Sequence, residues 1–442
     1  MIDFWDYNTL GQMHIELTNS CNAACPMCVR FHNNSPLTRP DLKIEQITYD
    51  LFIKWFPPAV VQRCHLILFC GVHGDPVMAK DMYEICEYIS NISDTTKILV
   101  NTNGGARSEE WWEKLGILFS KNLHRDWQLT FSIDGLKDTN HLYRRNVQWD
   151  KLEKNVRAFT KNGAKSDWDF LMFAHNEHQL DEARQTSKEW GVTNFIPKKA
   201  LGVDNGKSLS AMPALDREGN LEYWISAPTN PALRNLEEPE GVEVKYYHGF
   251  NIDTYKEEKV KHEDTYYQSL ISNAYEKLEE EDDPSWNSAN STIICKSSVW
   301  NTNKKEIFVD NHGRVLPCCY VGTHLNGKYS DFKSLQLHNA MQKYGWDNFS
   351  LTKHSLAEIL EGNHLNRVFA DSWEIAEVKC GRMAYCAATC GKVSAVDKIF
   401  THSDVENKSK FRHIKDRNSQ RETTTLTRFL AKDTNHGNDH SE

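Results

Sequence analysis

No run of this 442-residue chain approaches the roughly 20 apolar residues that a membrane helix needs. Its start, Met1–Asp6, lacks a basic stretch followed by an apolar one, so no secretory signal is expected. Positive charge is in short supply. There are 52 Lys and Arg against 61 Asp and Glu, a formal −9. That balance argues against nonspecific nucleic-acid binding, which wants a basic face. No internal repeat exists beyond an alternation of strand-like and helix-like segments. Together these features predict a cytoplasmic protein, where thiols stay reduced. Twelve cysteines in that setting point to metal or redox work rather than disulfides.

What is present begins with that alternation. Short apolar runs at Met13–Leu17, His65–Cys70, Lys97–Thr102, Gln128–Ile133, Asp169–Ala174 and Asn194–Pro197 read as strands. Helical patterns lie between them. Met82, Ile85, Cys86 and Ile89 recur at helical spacing, and Pro57 and Pro58 close a helix ending near Phe56. Six such repeats imply an α/β fold of parallel strands joined by right-handed crossovers. Residues 201–290 are polar, with charged runs at 256–259 and 279–283, and read as a linker or insertion with short helices. Residues 404–442 are mixed in charge and poor in apolar residues, the composition of a flexible tail.

Three cysteines carry the chemistry. Cys21, Cys25 and Cys28 follow the first strand in a C-x3-C-x2-C run. Three thiolates in one loop can hold three irons of a four-iron cluster and leave the fourth iron open to a ligand. Structural zinc sites instead use paired C-x2-C clips and close with four ligands. A closed zinc site completed by His14 or His32 is the alternative.

The triplet resembles the signature of the radical S-adenosylmethionine (AdoMet) enzymes. So does the ordered set behind it: Gly71–Pro76 after the second strand, Asn101–Gly104 after the third and Ser132–Gly135 after the fourth. The resemblance covers residues 10–200 and implies a partial (β/α)6 TIM-like barrel with the motifs at the strand C-termini. It implies a [4Fe-4S] cluster on Cys21, Cys25 and Cys28. The open iron would take AdoMet, whose reductive cleavage gives a 5′-deoxyadenosyl radical that removes a hydrogen atom from substrate. Gly71, Gly74, Asp75 and Pro76 would meet the AdoMet amino group, although the family usually has Glu where this chain has Asp75. Asn103, Ser132 and Asp134 are further cofactor-binding candidates, and Arg144 would pair with the AdoMet carboxylate. For Asp134 a plain Asp-Gly turn is an equal alternative, and Arg145 reads as a solvated charge. Met27 stands where the family often has an aromatic residue against adenine. Cys64, Cys70 and Cys86 read as core residues.

A second group, Cys295, Cys318, Cys319, Cys380, Cys386 and Cys390, surrounds a hairpin pattern, Glu306–Val309 and Arg314–Pro317 around 310–313. The run Gly313-x4-Cys318 with Cys380-x5-Cys386-x3-Cys390 resembles the SPASM/twitch extension of the same family. It implies a smaller C-terminal α+β domain over 291–395 with an auxiliary [4Fe-4S] cluster. Glu377 stands where a full SPASM would have a cysteine, and none follows Cys390, so one auxiliary cluster is expected. Cys295 and Cys318 would be joined by two of Cys380, Cys386 and Cys390, with Cys319 a bystander. A zinc ribbon is the alternative for this group.

The resemblance implies an electron donor such as flavodoxin or ferredoxin, and a peptide, protein or small-molecule substrate. A non-catalytic iron–sulfur or zinc protein on a degenerate barrel is the competing reading. Asp134, His175 and Glu177 fall near strand ends, but no substrate base follows from that.

Overall fold

A computed structural model describes residues 4–31, 35–39, 42–204, 209–235, 244–246, 292–293, 295, 297, 305–325, 332–376 and 378–392. The described residues fall in one compact unit within Met1–Val393. The expected tail over 404–442, the whole of 247–290 and Glu377 lie outside them.

Six parallel strands pair in sequence order: β1 (Leu10–Ile15), β2 (Leu66–Phe69), β3 (Lys97–Thr102), β4 (Gln128–Ser132), β5 (Ser166–Met172) and β6 (Asn194–Lys199). Helices α1 (Tyr49–Trp55), α2 (Pro58–Val61), α3 (Met82–Ile92), α4 (Glu109–Lys121), α5 (Asn140–Tyr143), α6 (Trp149–Thr160) and α7 (Leu180–Glu189) fill the crossovers. Neighbouring parallel strands in unbroken order, joined by right-handed crossovers, put every helix on one face and curl the sheet towards a barrel. The sheet carries two more strands beside β1. Lys305–Val309 runs parallel to β1, and Val315–Leu316 returns antiparallel to it. The expected hairpin is thus present, and it extends the barrel sheet.

Period-two alternation sorts the side chains. Met13, Ile15, Ile67, Phe69, Ile98, Val100, Leu129, Phe131, Trp168 and Phe170 are all buried. Trp112 of α4 packs on Phe131 and on Phe159 of α6, at centroid distances of 5.5 and 6.1 Å. Each such side chain contributes about 1.5–3 kcal/mol of burial. The alternate positions are Gln12, His14 and Glu16 on β1 and beyond, Asn101 and Asn103, and Ser132 and Asp134. Polar groups therefore collect on the other face, towards the strand C-termini.

Most element limits match the sequence pattern within a few residues. The fifth strand starts at Ser166 rather than Asp169, because Trp168 already pairs with Phe195 of β6. In the 201–290 segment the described residues form three strands and one short 3-10 turn, Pro231–Leu233. Leu209–Leu215 pairs with Leu221–Ser226 across a turn and with Val244–Tyr246. Pro213 disfavours a helix there, and Gly219 takes the positive φ (91°) that the turn requires.

Candidate functional site

The cysteine loop leaves the C-terminal end of β1 and winds through successive tight turns. Cys28 N donates to Cys25 O and Phe31 N to Cys28 O, both at 3.0 Å. Asn19 anchors the loop, donating to Lys43 O (2.8 Å) and accepting from Glu45 N (2.9 Å). Arg30 Nη1 donates to Asn19 O at 2.7 Å. None of the three thiols is in a disulfide. Burial pushes all three pKa values up, that of Cys28 to about 11, and Cys25 adds to the rise at both Cys21 and Cys28. Arg144 counters the rise at Cys25, and Arg30 counters it at Cys28. Crowded, buried or half-buried thiols, two of them faced by guanidinium groups, suit a cationic centre, which deprotonates its thiol ligands. Among the described residues no three His, Cys, Asp or Glu side chains are arranged to hold a metal ion. Cluster ligands bind the separate corners of a cube, so they need not converge on a point.

The glycine turn after β2 is closed on itself. A Cβ on Gly71 would lie 2.0 Å from Gly74 O, and one on Gly74 would lie 1.9 Å from Thr18 O. The bare backbone lets this turn meet the cysteine loop. Glu16, which the sequence pattern did not single out, sits beneath it and accepts from His73 N (2.6 Å) and Gly74 N (3.0 Å). An acid inside the apolar run Met13–Leu17 was the available signal.

Asp75 is buried and turned inward. Its carboxylate accepts from Thr102 Oγ1 (2.8 Å), Asn103 N (2.7 Å), Asn103 Nδ2 (2.7 Å) and Val77 N (3.2 Å). Burial raises its pKa against these hydrogen bonds. Pro76 opens the short 3-10 turn that Asp75 caps. Asn103 carries the network to the cysteines, with Nδ2 at 3.0 Å from Asn22 Oδ1 and 3.6 Å from Cys21 Sγ.

A second network reaches Cys25. Arg144 Nε donates to Asp134 Oδ2 at 2.6 Å, and its Nη1 lies 3.7 Å from Cys25 Sγ. Asp134 also accepts from Leu171 N at 2.6 Å, while its backbone N donates to Asn140 Oδ1 at 3.0 Å. Burial raises the Asp134 pKa against the pull of Arg144. Asp134 is therefore the buried partner of Arg144 as well as part of a turn, and one edge of the Arg144 fork is already engaged. Ser132 is half-buried at the end of β4.

No protein-family model and no curated protein sequence matches the chain. Among solved structures it is similar to Streptococcus suis SuiB bound to S-adenosylmethionine, at 12% identity and TM-score 0.40, over 71% of this chain and 61% of that one. It is similar to native anSMEcpe with bound AdoMet at 13% identity and TM-score 0.42, over 91% and 99%. BtrN in complex with AdoMet and 2-DOIA is similar at 11% identity and TM-score 0.35, over 87% and 94%. The chain thus spans about three fifths of the SuiB structure's length (61%). Each of the three holds the same sulfonium cofactor. Likenesses this distant decide no activity, and the chemistry of the site has to stand by itself.

Tertiary structure gathers part of the second cysteine group. Thr292–Ile293 pairs antiparallel with Gly391–Lys392, which brings Cys295 to Cys390. Cys386 and Cys390 lie one turn apart on the helix Ala384–Cys390. Cys318 follows the last strand of the hairpin. Burial raises the Cys295 thiol to about 12, with Cys390 next among the causes. Cys318 and Cys386 are likewise raised by burial first, and Cys295 adds to both. Cys380 is instead exposed on the turn Val378–Cys380. Burial raises the Cys319 thiol first, and Glu306 and then Cys70 add to the rise, while burial alone lifts Glu306 to about 7.

Three further polar side chains are committed to structural contacts. Arg145, expected as a solvated charge, is no free surface group: its Nη1 donates to Leu215 O at 2.8 Å and its Nη2 pairs with Glu222 at 2.6 Å. His175 stacks on Phe173 at 5.2 Å and is neutral at pH 7, its pKa lowered to about 4 by burial and by His141 and His178. Glu177 accepts from Thr229 N (2.9 Å) and Asn230 N (3.0 Å), a loop-tying role.

Proposed function

We propose that the chain is a radical AdoMet enzyme that abstracts a hydrogen atom from a peptide, protein or small-molecule substrate. One observation carries the reading. Three thiols, Cys25 buried and Cys21 and Cys28 half-buried, with Arg144 against Cys25 and Asn103 against Cys21, share one loop at the C-terminal end of a parallel sheet. Cys21, Cys25 and Cys28 would hold the cluster, which when bound supplies the electron that splits AdoMet into a 5′-deoxyadenosyl radical. Arg144 has guanidinium nitrogens left for the AdoMet carboxylate after its bond to Asp134. Gly71 and Gly74 leave bare backbone beside the loop for the amino group. Ser132 is open to the ribose or carboxylate.

Cys295, Cys318, Cys386 and Cys390 would hold one auxiliary [4Fe-4S] cluster, a full four-thiolate set that leaves Cys380 out. An electron donor such as flavodoxin or ferredoxin and a cytoplasmic setting complete the proposal. In keeping with the latter, no helix among the described residues is long and apolar enough to cross a membrane.

The test is anaerobic incubation of reconstituted protein with dithionite and AdoMet. Formation of 5′-deoxyadenosine, with a change in the reduced-cluster electron paramagnetic resonance spectrum on adding AdoMet, is expected. Neither signal in protein that contains iron and sulfide would refute the enzymatic reading. Zinc without iron would favour the non-catalytic alternative.

A further inference from the structure

A cavity of about 430 Å³ opens beside the cysteine loop and has no part in the reading above. Asn22, Arg107, Asn146, Gln148 and Lys151 stand in its wall, and no lining residue is acidic. Asn22 lies between Cys21 and Cys25, so an occupant would abut the loop itself.

Arg107 is fixed in place. Its Nε donates to Val77 O at 2.7 Å, its Nη2 to Ala79 O at 2.5 Å, and its guanidinium lies 5.3 Å from the Trp111 ring centroid. Nη2 also lies 3.4 Å from Lys80 O, and all four partners are neutral carbonyls or a ring, so the charge is held without being cancelled. Lys151 is exposed in the first turn of α6, and the acid next to it, Asp150, is paired with Lys137 at 2.9 Å. Gln148 precedes α6 and makes no side-chain cap, which leaves its amide available. Arg107 and Asn146 both hold positive φ, 65° and 68°, in this one wall. Asn takes that backbone readily, whereas Arg does so only where the surroundings impose it. Preset cations and amide donors, with no carboxylate among them, concentrate and orient an anion.

We propose that this cavity is an anion-binding subsite for the phosphate or carboxylate group of a small ligand. The inference rests on the cavity's own side chains and is independent of the AdoMet reading. Calorimetric titration of the full-length chain with inorganic phosphate, and separately with acetate, tests it. One saturable site is expected, weakened about tenfold or more in Lys151→Glu and less in Lys151→Gln. An acid in the first turn favours the helix, so Lys151→Glu should fold, and its circular dichroism melt checks this. Tighter binding of phosphate assigns a phosphoryl group, and tighter binding of acetate a carboxylate. No saturable binding of either anion, or equal affinity in folded Lys151→Glu, overturns the proposal.

Discussion

The side chains that set the cysteine loop are mostly spent on holding one another. Asp75 accepts four hydrogen bonds from residues 77, 102 and 103. Asp75→Asn puts an amide donor where donors already point. It should cost about 1–3 kcal/mol in chemical denaturation. The same change should loosen Asn103 from Cys21. Gly74 is less forgiving. Its added methyl would meet Thr18 O at 1.9 Å, and backbone cannot swing aside as a side chain can. We expect Gly74→Ala to lower stability by more than about 3 kcal/mol. A thermal melt indistinguishable from the wild type would show that the turn can open. Of the three loop thiols, Cys25 is the one that touches Arg144. If the proposed clusters are right, Cys25→Ala should remove the iron of the first site and leave that of the second.

At the scale of elements, the loop depends on a segment distant in sequence. Ala24 N donates to Arg145 O at 2.9 Å, and the Arg145 side chain grips the strand pair Leu209–Leu215 and Leu221–Ser226 through Leu215 and Glu222. That strand pair thus braces the cysteine loop through one residue. Arg145→Ala should cost about 1 kcal/mol, since Glu222 is well exposed and its pair is screened. Faster amide exchange across residues 20–30, with the barrel strands unchanged, is the diagnostic result. Glu177 makes a similar tie between the end of β5 and Thr229–Asn230. Partial burial works to raise its pKa, but hydrogen bonds from Thr229 and Asn230 prevail and hold it below its ordinary value of 4.5. Its stabilising effect is present above that value and is lost as pH falls through the lowered one. Glu177→Gln should flatten this acid limb of the stability profile, whereas an unaltered limb would mean the tie contributes nothing.

Over the whole molecule, the strand Lys305–Val309 joins the barrel sheet beside β1, so the second cysteine group hangs from the same sheet as the first. With both groups loaded, iron analysis should give about eight irons per chain. Cys386→Ala should bring this to about four, and Cys380→Ala should leave it unchanged. A loss of iron in the Cys380 variant would overturn the ligand set proposed here. The strands β1–β6 and the cysteine triplet were legible because both are local. An apolar run of strand length and a C-x3-C-x2-C spacing need no distant partner to be recognised. Pairings across the chain were not legible. Arg144 with Asp134, Glu16 beneath the Gly71–Gly74 turn, and Cys295 with Cys390 join residues whose separation in sequence carries no signal. The order of elements and the identity of the thiols were thus written in the sequence alone. Which thiols meet, and which charges face them, was decided only when the parallel strands aligned and brought their C-terminal ends together.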